Sequence, residues 1–125
     1  MTIYHAPKFA SNFVLHEVHP QLSRDEKTLK QDATVYAVGT LVISEFATGA
    51  KTGKYVRATQ TLVDAEATAD FAIVLEDTDA TAADVTDAAL FARLGVVKGN
   101  SLVLDNSITV PEAAALLIKQ NVAVK

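Results

Sequence analysis

Short apolar runs separated by polar, glycine-containing connections form the main pattern of this chain. Residues 34–43 are rich in Val, Tyr, Thr and Ile, side chains that pack well on a pleated sheet. Residues 71–75 are apolar without alternation, which is typical of a strand covered on both faces. Gly39 interrupts the first run, and a glycine inside a strand pattern indicates a bulge or a sharp bend. The pattern therefore predicts a mainly β fold.

The other central segments carry weaker signals. Residues 46–54 contain two glycines and are expected to form a turn or loop, followed by a short strand over residues 55–59. Residues 76–87 are polar and predict a loop or a weak helical turn. Residues 88–97 are ambiguous, because their alanines favour helix whereas Gly95 and the valines after it do not. We interpret this last segment as strand.

The C-terminal segment shows the clearest local pattern. Thr109 and Glu112 have the spacing of a capping box, with a proline in the first turn, where its missing N–H costs little. The alanine- and leucine-rich sequence that follows propagates a helix well. Asn121 is a plausible left-handed stop. Residues 122–124 then predict a final short strand.

The first 32 residues differ from the rest in composition. They hold all three histidines, two of the three prolines and three of the eight aromatic residues. Because proline resists regular structure, we predict an extended N-terminal arm over residues 1–32 and a β-rich domain over residues 33–125. Within the arm, residues 13–18 suit a short strand. Capping-box spacing from Ser23 allows one helical turn near Arg24.

The apolar residues of the arm, Ile3, Tyr4, Phe9 and Phe13 among them, would be costly to leave in water. Burying one such side chain is worth roughly 1.5–3 kcal/mol. Two explanations stay open. The arm folds back on its own domain, or it docks on a partner, for example by adding a strand to a sheet edge.

Composition sets the outer limits of function. The 125 residues favour one domain with its own core. The absence of cysteine excludes a disulfide framework and a thiolate metal site, and it fits a reducing cytoplasm. No apolar run approaches the roughly 18 residues of a membrane span, and the N-terminus lacks the pattern of a signal peptide. We expect a protein that is neither secreted nor inserted in a membrane.

The net charge of −4 is unevenly distributed. Residues 58–92 hold eight acidic residues and no basic one, whereas the segments 33–57 and 93–125 are slightly basic. No segment forms a concentrated basic stripe. This distribution argues against nucleic-acid binding.

No catalytic set is visible in the chain. His16 and His19 are three residues apart, but only Glu17 lies nearby as a further ligand, so we interpret them as solvated or interface histidines. The acids of residues 76–87 lack the EF-hand pattern for calcium, and no histidine, lysine or nucleophile pattern accompanies them. An enzyme that uses these carboxylates stays an alternative. So does a small carbohydrate- or ligand-binding β module on a virion or cell surface.

Five segments follow one another at characteristic spacings along the chain: residues 38–43, 72–77, 88–95, 111–117 and 121–124. Their order and spacing resemble the phage lambda head decoration protein family. No single segment is a catalytic motif. The resemblance rests on their succession over most of the chain.

This resemblance implies a compact fold of the β-clip type, a barrel with one short C-terminal helix. It implies homotrimers on local threefold axes of an expanded icosahedral head, where they cement the shell against internal DNA pressure. The N-terminal arm would contact the major capsid protein, so Ile3, Tyr4, Phe9 and Phe13 become the expected capsid contacts. No cofactor, catalysis, nucleic acid or membrane is expected. The implied location is the outer surface of the virion, after synthesis in the host cytoplasm.

Overall fold

A computed structural model describes residues 14–17 and 23–125 of the chain. This part is mainly β and has a short helix near the C-terminus, as predicted. Its strands are β1 Val14–Glu17, β2 Arg24–Leu29, β3 Leu41–Ala47, β4 Ala50–Arg57, β5 Phe71–Val74, β6 Val85–Phe91, β7 Gly95–Val97 and β8 Val122–Val124. Its α-helices are α1 Gln60–Ala65 and α2 Val110–Leu117, and 3-10 turns span Gly99–Ser101 and Ile118–Gln120.

Five of the strands close into a small barrel in the order β2-β4-β3-β5-β6. The closing pair, β2 with β4, is parallel, whereas the other pairs of the barrel are antiparallel. The remaining strands form a separate three-stranded sheet in the order β1-β7-β8. Closure matters because a closed barrel exposes no unpaired strand edge. The β-clip assignment stays a prediction.

The core has two parts, one on each face of the central strands. One cluster draws buried or half-buried residues from all five barrel strands, which places it inside the barrel; it contains Leu29, Val42, Tyr55, Ala72, Val74, Ala88 and Leu90. The second cluster joins the outer face of the barrel to α2 and the small sheet through Ile43, Phe71, Ile73, Phe91, Val97, Ala113, Leu117 and Val122. The run 71–75 is therefore apolar throughout because both faces are covered, as predicted.

The hairpin of β3 and β4 is longer than predicted. Residues 46–54 were expected to form a turn or loop, but strand pairing continues to Ala47 and resumes at Ala50. Only Thr48 and Gly49, with φ of 52° and 82°, form the tight turn, and positive φ at both positions suits the right-handed twist of a hairpin. The prediction was wrong in extent because cross-strand hydrogen bonds outweigh the local effect of the glycines.

Two further elements differ from the sequence expectations. The helical turn that was predicted to begin near Arg24 does not begin there, since Arg24–Leu29 is barrel strand β2. This strand lies N-terminal to the predicted domain boundary at residue 33. Helix α1 was not predicted. It begins after Thr59, whose side chain accepts a hydrogen bond from the Leu62 N–H. Both elements depend on partners that are distant in sequence, namely β6 for β2 and Ser107 for the first turn of α1.

The C-terminal predictions are confirmed. Both hydrogen bonds of the capping box join Thr109 and Glu112, and α2 starts between them. Asn121 has φ 60° and ends the last helical turn. Strand β8 follows at Val122 and pairs in parallel with β7. These features were predictable because each depends on residues a few positions apart.

Gly39 provides the bend that brings the chain into β3, as predicted. Its φ is +92°, and a Cβ built on it would lie 2.5 Å from the carbonyl oxygen of Ser101. The same contact region carries two backbone hydrogen bonds, from Leu41 N–H to the Val103 carbonyl and from Val103 N–H to the Gly39 carbonyl. A glycine is therefore required both by the backbone angle and by the close approach of a neighbouring segment.

We expect Gly39→Ala to lower the free energy of unfolding by about 2–4 kcal/mol, from the positive φ together with the steric overlap. Gly49→Ala is the matched control, because Gly49 has φ +82° but no atom within 4 Å of a built Cβ. It should cost only about 1 kcal/mol. Urea unfolding followed by circular dichroism measures both, and equal costs would contradict the role of the Ser101 contact.

Candidate functional site

The acidic segment contributes to a shallow depression on the surface. The depression has a volume of about 360 Å³ and is lined by five acidic side chains: Glu26, Glu76, Asp77, Asp79 and Asp87. We call it the acidic depression. In the described part of the chain no three His, Cys, Asp or Glu residues are grouped so that they could hold a metal ion.

Several acids of this region have structural partners. Asp77 accepts a hydrogen bond of 2.8 Å from the Val38 N–H and so fastens the approach to β3. Asp79 accepts bonds from the hydroxyl and the N–H of Thr81, which lower the pKa of Asp79. Asp84 pairs with Lys54, and this contact lowers the pKa of Asp84. These carboxylates hold the loop between β5 and β6.

The aromatic residues of the β-rich domain do not form an exposed platform. Tyr36, Phe71 and Phe91 are buried in the two core clusters, and Phe46 and Tyr55 are half-buried. A sugar-binding module typically stacks its ligand on exposed aromatic faces. The placement of these rings gives no support to the carbohydrate-binding alternative.

The arm joins the body of the protein at β1. Val14–Glu17 pairs antiparallel with β7, which confirms the short strand predicted there. A second attachment follows at Ser23, which is buried and donates its hydroxyl to the carbonyl of Leu94. The Ser23 carbonyl in turn accepts hydrogen bonds from the N–H groups of Ala92 and Arg93. The predicted contact residues Ile3, Tyr4, Phe9 and Phe13 lie outside the described residues, so their role stays a prediction.

The small sheet differs from the barrel in having open edges. Among the described strands, β1 and β8 each pair only with β7, which lies between them. Unpaired edges of this kind are sites where another extended chain can add a strand. One of these edges belongs to β1, the strand that directly follows residues 1–13.

None of the helices in the described residues has the length and apolar character needed to cross a membrane. A comparison with protein families matches residues 3–123 to the family described as Bacteriophage lambda head decoration protein D. The chain belongs to this family. The resemblance seen in the sequence is thereby confirmed over nearly the whole chain. Comparisons with curated proteins and with solved structures found no match.

The family makes this chain a phage head decoration protein, associated with the capsid and located in the phage head. It is a structural, non-enzymatic family. The functional site of such a protein is a set of contact surfaces rather than a pocket. The surfaces that matter are therefore the edges, the charges and the exposed apolar groups of the described body.

Ion pairs neutralise much of the charge on the barrel of this head decoration protein. Among the described residues, five pairs join basic and acidic side chains: Lys30–Glu45, Lys51–Asp70, Lys54–Asp84, Arg57–Asp32 and Arg93–Asp25. Pairs exposed to this degree contribute little stability each. Their main effect is that the barrel presents few uncompensated positive charges, while the acidic depression stays negative.

One of these pairs fastens the segment before β3. The Arg57 Nε donates to Asp32 at 2.6 Å, and the guanidinium also donates to the carbonyls of residues 34–35. Its carbon lies 4.7 Å from the ring centre of Tyr36, within cation–π distance. Tyr36 is buried and donates its hydroxyl to the Lys30 carbonyl at 2.8 Å. Sequence reasoning did not identify this cluster, since its members come from separate segments.

We expect Tyr36→Phe to change how stability depends on pH. Burial, with a contribution from Asp32, raises the pKa of Tyr36 from 10.0 to about 12. Below pH 10 the phenol is neutral in both states. Above pH 10 the unfolded chain ionises first, so the wild-type protein loses about 1 kcal/mol by pH 11.

The variant lacks this loss but also lacks the hydrogen bond to Lys30, worth about 1 kcal/mol. It should be less stable than wild type at pH 8, and the difference should close by pH 11. Denaturant unfolding at a series of pH values measures this, and a constant difference would contradict the assignment.

Proposed function

We propose that this head decoration protein is a cement protein of an expanded icosahedral head. It binds as homotrimers on the outer surface and stabilises the shell against the pressure of packaged DNA. The observation that carries the proposal is the family match over residues 3–123, which includes both the arm and the β-rich domain. The protein acts without catalysis or a cofactor, and it is made in the host cytoplasm before it reaches the head.

A cement protein acts through the contact area that it buries on the shell and through the number of copies bound, and it needs no reactive group. A ligand that binds only the assembled state stabilises that state by mass action. Many copies on one shell then act together, so each contact can be modest. The closed barrel suits this task, since it offers a compact body without edges that would promote aggregation.

The capsid contact is proposed for the arm, with the major capsid protein as the partner. Residues 1–13 lead directly into β1, so a force on the arm is carried into the small sheet and from there into the core around Val97. The apolar side chains Ile3, Tyr4, Phe9 and Phe13 provide the contact energy. The outer edge of β1, unpaired among the described strands, is where a capsid strand can extend the sheet.

The net charge fits a partner other than nucleic acid. The chain carries −4 overall, and five basic side chains of the barrel are paired with carboxylates. An acidic body is repelled by DNA phosphates. This repulsion favours a protein that stays on the shell and is not sequestered by the packaged genome.

Replacement of Ile3, Tyr4, Phe9 and Phe13 together by alanine should abolish co-sedimentation with expanded heads of the source phage. The expected loss is at least about 100-fold in affinity, since each lost contact contributes a sizeable apolar area. The control variant replaces Thr2, Lys8, Ser11 and Asn12 by alanine, which changes as many positions of the arm without removing apolar area. Unchanged binding by the first variant would contradict the arm contact.

Heads saturated with this protein should release their DNA at a higher temperature than heads without it, because binding stabilises the expanded shell. Dye accessibility of the DNA during a temperature ramp measures the release. Empty expanded heads are the control for internal pressure, and unfolding of their shell is followed by calorimetry because they contain no DNA for the dye. Equal release temperatures with and without bound protein would contradict the cementing role.

A further inference from the structure

In the described structure four large hydrophobic side chains are exposed, and three of them lie on α1, on α2 or on the 3-10 turn that directly follows α2. They are Val35 at 40 %, Leu62 at 37 %, Val110 at 39 % and Ile118 at 58 %. Isolated exposed apolar residues are common on monomers. Here, however, Leu62 and Ile118 belong to two surfaces with complementary shapes and charges.

The first surface is the outer face of α2 together with the start of the 3-10 turn that continues it, and we call it the ridge. Pro111 and Ala115 of α2 and Ile118, the first residue of the turn, are spaced by four and three residues, so they lie along one face, and all three are exposed. The opposite face is buried through Ala113 and Leu117. The ridge therefore has no charged side chain along its centre, and its most exposed member, Ile118, is followed directly by Lys119.

The second surface is an apolar groove between α1 and the β3–β4 hairpin. Its walls are Phe46, Val56, Leu62 and Ala65, and its volume is about 360 Å³. The acids Glu45 and Glu66 also line it. Glu45 is paired with Lys30, whereas Glu66 forms no ion pair with a described residue. The groove thus combines an apolar wall with one uncompensated negative charge.

A threefold ring needs two different surfaces on each subunit. Its contacts run head to tail, so the patch on one subunit must complement another patch on the next. The ridge and the groove meet this condition: one is convex, the other concave, and both are apolar. Lys119 beside the ridge forms no ion pair with a described residue, and its charge is opposite to that of Glu66 in the groove. Within one copy Ile118 stays 58 % exposed, so the ridge does not fill the groove of its own chain.

We propose that the ridge of one copy inserts Ile118 into the groove of the next copy, with Lys119 facing Glu66. This inference rests on the trimer of the proposed function and assigns residues to its subunit contact. The contact is small, and simultaneous attachment of all subunits to the shell supplements it. It buries the two largest exposed apolar groups of the helices in one step.

Site-specific cross-linking on heads tests the contact directly, because the chain has no cysteine of its own. Two variants are prepared, Ile118→Cys and Ala65→Cys, both at exposed positions. A short bismaleimide reagent should give covalent dimers when the two variants are mixed and bound to expanded heads, but not with either variant alone. A variant carrying both cysteines should give covalent trimers.

The outcomes separate this inference from the proposed function. Dimers from Ile118→Cys alone indicate a twofold contact and overturn the ridge–groove pairing. An amine-reactive cross-linker can detect trimers on heads independently of the cysteines. If it detects trimers but no link forms between positions 118 and 65, the pairing is overturned and the cement function stands. Absence of any trimer on heads overturns both.

Substitutions give a second, independent measure. Ile118→Asp should reduce trimer formation on heads by about tenfold or more, as loss of a central apolar contact does. Val35→Asp, which changes another exposed apolar residue, one that lies outside both surfaces, should have no such effect. Lys119→Glu should weaken the trimer by up to about fivefold, and Glu66→Lys in the same chain should restore it. Equal loss in the Val35 and Ile118 variants would overturn the assignment.

Discussion

The first four residues of β3 and the whole of β5 are buried on both faces, and the other parts of the described structure are arranged around this double burial. Val42, Ala72 and Val74 point to the barrel interior, while Ile43, Phe71 and Ile73 face α2 and the small sheet. The barrel could not close without the first set, and the C-terminal elements would have nothing to cover without the second. One pair of strands therefore joins two hydrophobic clusters into a single body.

Double burial also determines where the molecule can interact. Each barrel strand has a paired strand on both sides, whereas β1 and β8 each have one edge along which no described strand lies. The arm enters the body at one of these edges. A decoration protein with this architecture can bind an extended chain at the small sheet without any change in the strand pairing of its barrel. The surface used for attachment is then separate from the barrel that stabilises the fold.

The charged side chains of the barrel and of the loop after β5 mainly have structural partners. Five basic side chains on or beside the barrel are held in ion pairs, and one of them, Arg57, fastens the segment before β3 through Asp32 and Tyr36. The acids after β5 support a loop through bonds such as Asp77 to the Val38 N–H. What the sequence presents as a concentration of carboxylates is, in the folded protein, mainly a set of loop contacts beside an open depression.

The sequence by itself determined the features that depend on near neighbours. The capping box at Thr109, the left-handed end at Asn121, the bend at Gly39 and the doubly covered run 71–75 were predictable, because a few adjacent residues decide each one. The order of its segments also indicated the family to which the chain belongs.

The tertiary structure alone decided that Arg24–Leu29 becomes a barrel strand, that the β3–β4 hairpin extends through a glycine-containing segment, and that α1 forms beside Ser107. In these cases hydrogen bonds and burial against distant segments outweigh local preference, and no local pattern contains that information. The ridge and the groove are of the same kind, since Ile118 and Leu62 are unremarkable in the sequence and become surfaces only when their helices pack.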